Sequence, residues 1–224
     1  MLWDTMQDQS TIRSRVLIAD DHSVVAEGLR SLLEKKYEVV GIVPDGRELL
    51  VQAPELKPDV IVLDIGMPLL NGLDAADRLL SSLPQIKFVF LTMNDDPNLA
   101  AAALKLGAVG YVLKHTAASE LLKAVSEVLQ GRSYVTAKLR AENWAVRKAR
   151  ARDFSKELTR RQQEVVQLLA EGRPMKEVAA ILKVSAKTVM FHKYRIMQSF
   201  NLKNNADLVL FALKRHLISS RLKN

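Results

Sequence analysis

The chain of 224 residues contains no cysteine. That absence excludes disulfide staples, cysteine-ligated zinc or iron–sulfur centres and a thiol nucleophile, and it is compatible with a reducing compartment. No apolar run approaches the ~18 residues of a membrane span, and the first stretch, MLWDTMQDQSTIRSR, has no apolar core of signal-peptide length. The expectation is a cytoplasmic protein with no membrane partner. Internal repeats and low-complexity tracts are missing as well. What is there is the balance of a chain that buries cores: 48% hydrophobic and 26% charged residues, which sets aside wholesale disorder and collagen-like architectures. At roughly 100–200 residues per domain, the length suits two ordinary domains.

Charge is unevenly spread. Residues 1–131 hold 12 Lys+Arg against 18 Asp+Glu, a net of −6, whereas residues 132–224 hold 21 against 7, a net of +14. An acidic front and a strongly basic back point to different partners, with a polyanion such as nucleic acid a candidate for the second. A solvated basic surface without a partner is the plainer alternative.

From Arg15 short apolar runs alternate with amphipathic stretches. VLIA (16–19), EVVGIV (38–43), VIVL (60–63), KFVFL (87–91) and GYVL (110–113) read as buried strands. The stripes Val25–Leu33, Leu49–Ala53, Leu73–Leu80, Leu99–Leu106 and Leu121–Leu129 read as the helices between and after them. Five βα units imply a parallel sheet with helices on both faces, with the chemistry at the carboxyl ends of the strands. The fold class is therefore an α/β, flavodoxin-like, doubly wound parallel five-stranded sheet over residues 14–131. Residues 132–154, rich in Arg and Lys, read as a partly helical linker. Over 155–220 four short apolar-periodic segments predict a small all-α, four-helix unit. In it Thr159 and Gln162 have the spacing of a capping box, Gly172 suits a helix stop, and Ser185 suits the cap of the third helix.

Asp20 and Asp21 directly follow the first strand and Asp64 follows the third, so a flavodoxin-like order brings three carboxylates to one edge. Clustered anions repel, and the ordinary resolution is a hard divalent cation with oxygen ligands, of which Mg²⁺ is the natural candidate. Thr92 ends the fourth strand and Lys114 follows the fifth. Each of these residues alone has a plainer reading as a helix cap or a loop side chain. Together, a carboxylate nucleophile, a cation site, a fixed ammonium and a hydroxyl are the parts that take up a phosphoryl group. His22, in the run DDH, reads as structural, since one imidazole beside two carboxylates does not define a metal-site spacing.

VLIADDHSVVAEGLRSLL, VIVLDIGMPLLNGLDAA, LTMND and ALKLGAVGYVLKHTAASELLKAV resemble the receiver domain of bacterial response regulators of the NarL/FixJ type. The resemblance implies that Asp64 is the phosphoacceptor. It implies that Mg²⁺ is ligated by Asp21, by Asp64 and by the backbone carbonyl of Gly66, with Asp20 acting through water. By the same resemblance Thr92 and Lys114 would hold the phosphoryl oxygens and Tyr111 would be the aromatic that changes rotamer with them, a plain packing aromatic being the alternative for Tyr111. Pro68 and Gly72 shape the loop, and Gly66 and Asn94 stand where this family tunes access of water.

LTRRQQEVVQLLAEGRPMKEVAAILKVSAKTVMFHKYRIMQSFNLKNNADLVLFALKRHL, from Leu158, is similar to the LuxR-type helix-turn-helix that accompanies such receivers. Ser185–Phe200 would be the recognition helix, with Val189, Ile196 and Phe200 packed inward. Lys187, Met190, Phe191 and Tyr194 would face the bases of double-stranded DNA, and Lys193 and Arg195 its phosphates. A membrane-surface helix and a protein-docking helix are the alternatives for this stretch. His192 reads as packing. Met190 and Phe191 are apolar where the family commonly has a polar reader, and Pro174 replaces the usual hydroxyl cap of the scaffold helix. The implied protein is a two-component transcription factor without substrate turnover, phosphorylated by a sensor histidine kinase or a small acyl phosphate and bound to DNA as a homodimer. The acidic receiver would mask the basic domain at rest by direct contact. A Mg²⁺-dependent phosphohydrolase and a phosphorylation-independent DNA binder are the competing readings.

Overall fold

The computed structural model describes residues 13–93, 95, 97–107, 109–137, 139 and 158–219. Asn94 and most of the expected linker lie outside them. The first unit runs β1 (Arg15–Ala19), α1 (Ser23–Leu33), β2 (Glu38–Val43), α2 (Gly46–Leu56), β3 (Val60–Asp64), α3 (Gly72–Ser82), β4 (Lys87–Thr92), α4 (Pro97–Leu104), β5 (Val109–Leu113), α5 (Ala117–Leu129) and β6 (Tyr134–Val135). All strands are parallel, in the order β2-β1-β3-β4-β5-β6.

Strand alternation sorts the core into two layers. Leu17, Ile61, Leu63, Phe88, Phe90, Tyr111 and Leu113 point to the face covered by α2, α3 and α4, while Val16, Ile18, Val60, Val62, Val89, Leu91 and Val112 point to the face covered by α1 and α5. Both faces of β3 are dry, which is why VIVL is an unbroken apolar run. Each fully buried Val, Leu or Ile contributes roughly 1.5–3 kcal/mol of hydrophobic stabilisation, so the central strands are fixed in register and their ends are rigid platforms. Asp64 is the last residue of the most buried strand.

A sixth strand lies where the sequence predicts linker. Tyr134 and Val135, 6% and 3% exposed, pair with Gly110 and Tyr111, and the Thr136 N–H donates to the Tyr111 carbonyl at 2.9 Å. An apolar pair of residues seals the edge that β5 would otherwise present to water.

The second unit is α6 (Arg160–Ala170), α7 (Met175–Leu182), α8 (Ala186–Ser199) and α9 (Asn205–Lys214) around Leu158, Val165, Val166, Leu168, Val178, Leu182, Val189, Ile196, Leu208 and Ala212. Thr159 and Gln162 close the expected capping box, Ser185 caps α8 through the Thr188 N–H, and Gly172 takes φ +84° past the end of α6. Pro174 gives α7 no side-chain cap, as its lack of a hydroxyl requires.

The two units are in contact through α6, which lies on the loop between β3 and α3. Glu164, 5% exposed, accepts from Arg47 of α2 (2.8 Å), Arg78 of α3 (3.2 Å) and Arg161 of its own helix (3.1 Å). Gln167 donates to the Met67 carbonyl (3.1 Å) and accepts from the Asn71 N–H (3.1 Å), while Glu171 accepts from the Leu69 N–H (3.1 Å).

Candidate functional site

Three residues from three strand ends meet at the carboxyl edge of the sheet. Asp20 follows β1 and Asp64 ends β3, 2% and 6% exposed. Lys114, directly after β5, donates through Nζ to Asp20 Oδ2 at 2.7 Å and to Asp64 Oδ2 at 2.8 Å. The other Asp64 oxygen accepts from the Gly66 N–H at 3.1 Å. Thr92, buried, ends the neighbouring strand β4, whose Leu91 stands opposite Asp64. Tyr111 is fully buried in the layer under this edge.

Gly72 makes the turn after Asp64 possible. A Cβ there would lie 2.3 Å from the Asp64 carbonyl oxygen, so only glycine lets α3 start so close beneath β3. Asn71 then caps α3, accepting from the Asp74 N–H at 3.0 Å.

Burial raises the carboxyl pKa of Asp64 above its usual value, and the Lys114 charge and hydrogen bond oppose that rise without cancelling it. Burial pulls Lys114 the other way, yet Asp64 and Asp20 together outweigh it and hold the ammonium above its usual value. Lys114 therefore stays charged between two carboxylates that would otherwise repel.

The donor set fits a hard divalent cation. Asp20, Asp21, His22 and Asp64 each offer a ligand atom within 4.8 Å of the others. Asp21 Oδ1 is buried without a hydrogen bond, although His22 Nδ1 lies 2.9 Å from it. A buried carboxylate oxygen left short of donors is an open ligand position for a cation. His22 also lies 3.3 Å from Asp20 Oδ1, and its N–H donates to that oxygen at 2.9 Å. Sequence reading set it aside as structural. Its nearness follows from the turn after β1, which no residue spacing reveals.

On α8, Val189 and Ile196 are buried and Phe200 packs beside them. Lys187, Met190, Phe191, Tyr194 and Arg195 are exposed, with Met190 at 53%, Phe191 at 55% and Tyr194 at 66%. The Arg195 guanidinium sits 5.6 Å from the Phe191 ring centre, and Lys193 Nζ donates to Asn205 Oδ1 at 2.8 Å. His192 is half-buried, edge-on to Phe191 at 5.9 Å. The contact between the units leaves this face uncovered. The expected direct contact is present, but it grips the β3–α3 loop instead of covering the face of α8.

Residues 16–126 match the response regulator receiver domain, and residues 156–212 match the LuxR family of bacterial regulatory proteins. The oxygen regulatory protein NreC of Staphylococcus epidermidis is 39% identical over 215 residues, which cover 91% of this chain and 99% of that one. The chain belongs to the response regulators. NreC of Staphylococcus aureus is 38% identical over 214 residues, 91% of this response regulator and 99% of the relative. Among solved structures, the RcsB response regulator of Salmonella typhimurium superposes with a TM-score of 0.64 at 29% identity, over 91% of this chain and 98% of that one. RcsB from Salmonella enterica serovar Typhimurium bound to promoter P1flhDC with the phosphomimetic BeF₃⁻ gives 0.59 at 29% identity, over 92% and 98%. With a receiver joined to a LuxR-type DNA-binding domain, this response regulator is a phosphorylation-dependent transcription regulator and not a turnover enzyme.

Proposed function

We propose that Asp64 is the phosphoacceptor and that its phosphorylation, by a sensor histidine kinase or a small acyl phosphate, switches the protein to a two-fold dimer on double-stranded DNA. The observation that carries this reading is Lys114 spanning Asp20 and Asp64 beside the under-bonded Asp21. In the transfer, an Asp64 oxygen attacks phosphorus, the phosphorus–oxygen bond of the acyl phosphate breaks, and the acyl carboxylate leaves. Lys114 and Thr92 hold the phosphoryl oxygens, and the Gly66 N–H stays on the other Asp64 oxygen. Mg²⁺ would be held by Asp21, Asp64, the Gly66 carbonyl and, through water, Asp20, and when bound it neutralises charge developing on the phosphoryl group. Tyr111, buried on β5 opposite Phe90 of β4, follows the new group by changing rotamer.

The receiver spans residues 14–131 and takes in β6 beyond them, the rest of 132–154 is the linker, and the DNA-binding domain spans 155–220. In the last, Lys187, Met190, Phe191 and Tyr194 face the bases and Lys193 and Arg195 the phosphates, which suits an exposed helix face with basic margins. A DNA-bound regulator works in the cytoplasm, and among the described residues no helix is long and apolar enough to cross a membrane. Incubation with acetyl phosphate and Mg²⁺ should add one phosphate, read by intact mass. Asp64→Asn and chelation of Mg²⁺ should each abolish it. Equal labelling of Asp64→Asn would overturn the assignment.

A further inference from the structure

Gly66, two residues beyond Asp64, has no side chain, yet the space beside it is filled. A Cβ on Gly66 would lie 3.2 Å from Ser219 Cβ, 3.7 Å from Ser219 Oγ and 3.8 Å from Asp64 Oδ1. Ser219 comes from the other domain, in the segment that follows α9. It is tethered there because Leu217, 7% exposed, is part of the four-helix core and Ile218 packs against that core.

The same loop is held from its other side. Leu69 takes φ +65°, which a branched side chain rarely adopts, and it packs against the four-helix core while its N–H donates to Glu171. Gln167 binds the loop at both Met67 and Asn71. The stretch from Gly66 to Asn71 therefore sits against the DNA-binding domain, with Ser219 beside Gly66 at its Asp64 end.

We infer that Ser219 is the rim residue of the phosphoacceptor site, supplied by the DNA-binding domain where Gly66 supplies none, and that a donor reaches Asp64 only when this segment moves aside. The inference rests on Asp64 as the acceptor. Ser219 keeps an exposed outer side, so it narrows the entrance without sealing it. Access and docking are linked reciprocally: a phosphoryl group on Asp64 disfavours Ser219 at Gly66 by the same factor by which Ser219 disfavours the phosphoryl group.

The chain contains no cysteine, so the contact can be locked selectively. In the full chain carrying Gly66→Cys and Ser219→Cys, the Cβ separation is close to the roughly 3.5–4.5 Å of a disulfide. Mild oxidation should form an intramolecular bridge, and beryllofluoride with Mg²⁺ should slow its formation about 5-fold or more, the low end of site-to-site coupling. The bridged protein should take phosphate from acetyl phosphate about 5-fold or more slowly than the same protein after reduction. A chain ending after Ile218 should be labelled faster than the native one, and that gain should vanish once Arg47→Glu has opened the domains. Failure to form the bridge overturns the contact. Equal labelling of bridged and reduced protein overturns the gate and leaves Asp64 as acceptor. If the native chain takes no phosphate at all, the acceptor assignment falls and the gate falls with it.

Discussion

Removing the Lys114 ammonium would leave Asp20 and Asp64 buried against each other, with Asp21 alongside and no counter-charge. Taking one partner from a buried ion pair costs about 3–5 kcal/mol, because the remaining charge stays desolvated. Lys114→Met should therefore lower the melting temperature, and Mg²⁺ should restore more stability to it than to the native protein, since a divalent cation replaces the missing charge. Thermal melts with and without Mg²⁺ check this, and an equal Mg²⁺ effect in both proteins would argue against a shared cation site. Asp74 provides a pH-dependent counterpart. Burial raises its carboxyl above the usual 3.8, against the Asn71 hydrogen bond and the Arg78 charge. The folded protein thus binds a proton over a range where the unfolded chain has lost it, so stability falls as pH rises through that range. Below about 3.8 both states are protonated and the cost disappears. Asp74→Asn should melt above the native protein at neutral pH, with the difference closing as pH falls toward 3.8.

At the scale of elements, α8 divides its residues by what they can reach. Phe191 carries Arg195 against its ring, whereas Lys193 is tied to Asn205 at the start of α9. Lys193→Ala should weaken binding to all DNA sequences and lower the salt slope by about 1. Phe191→Ala should instead narrow the gap between operator and random DNA by about 1–3 kcal/mol with little change in salt dependence. Titrations at several salt concentrations separate the two; equal loss on both DNAs from Phe191→Ala would make it a packing residue. This face was legible in the sequence because Val189, Ile196 and Phe200 mark the inner stripe at helical spacing. The strand ends were legible for a similar reason: dry runs such as VIVL end abruptly in Asp64, so the carboxylates declare which edge they occupy. β6 was not, because Tyr134 and Val135 are too short a pair to show alternation within a basic stretch. Nor was the contact face of α6. Glu164 and Gln167 look solvated by composition, and are buried because Arg47 of α2 and Arg78 of α3 meet the first and the β3–α3 loop lies on the second. Periodicity reports that a face is polar, not what covers it. Ser219 at Gly66 joins residues far apart in the chain, and no local pattern could place them together.

For the molecule as a whole, the docked arrangement leaves the exposed face of α8 open, so docking does not cover the residues proposed to read DNA. What it fixes is where the second domain stands relative to the receiver, and therefore whether two copies can present their helices together. One α8 of 14 residues is about 21 Å long at 1.5 Å per residue and fills one stretch of major groove. In the proposed two-fold dimer a partner copy supplies a second helix. Residues 1–131, net −6, add no attraction for phosphates, and residues 132–224, net +14, linker included, supply the nonspecific affinity. Phosphorylation should therefore raise affinity for paired half-sites far more than for a single half-site, with the two centred about one helical turn, ~10 bp, apart. Inserting about five base pairs between them turns the second half-site to the opposite face of the duplex. Binding by the beryllofluoride-treated protein should then fall to the level of a single half-site, while the untreated protein changes little. Mobility-shift titrations on the three DNAs test this, and unchanged affinity after the insertion would mean that each chain reads DNA alone.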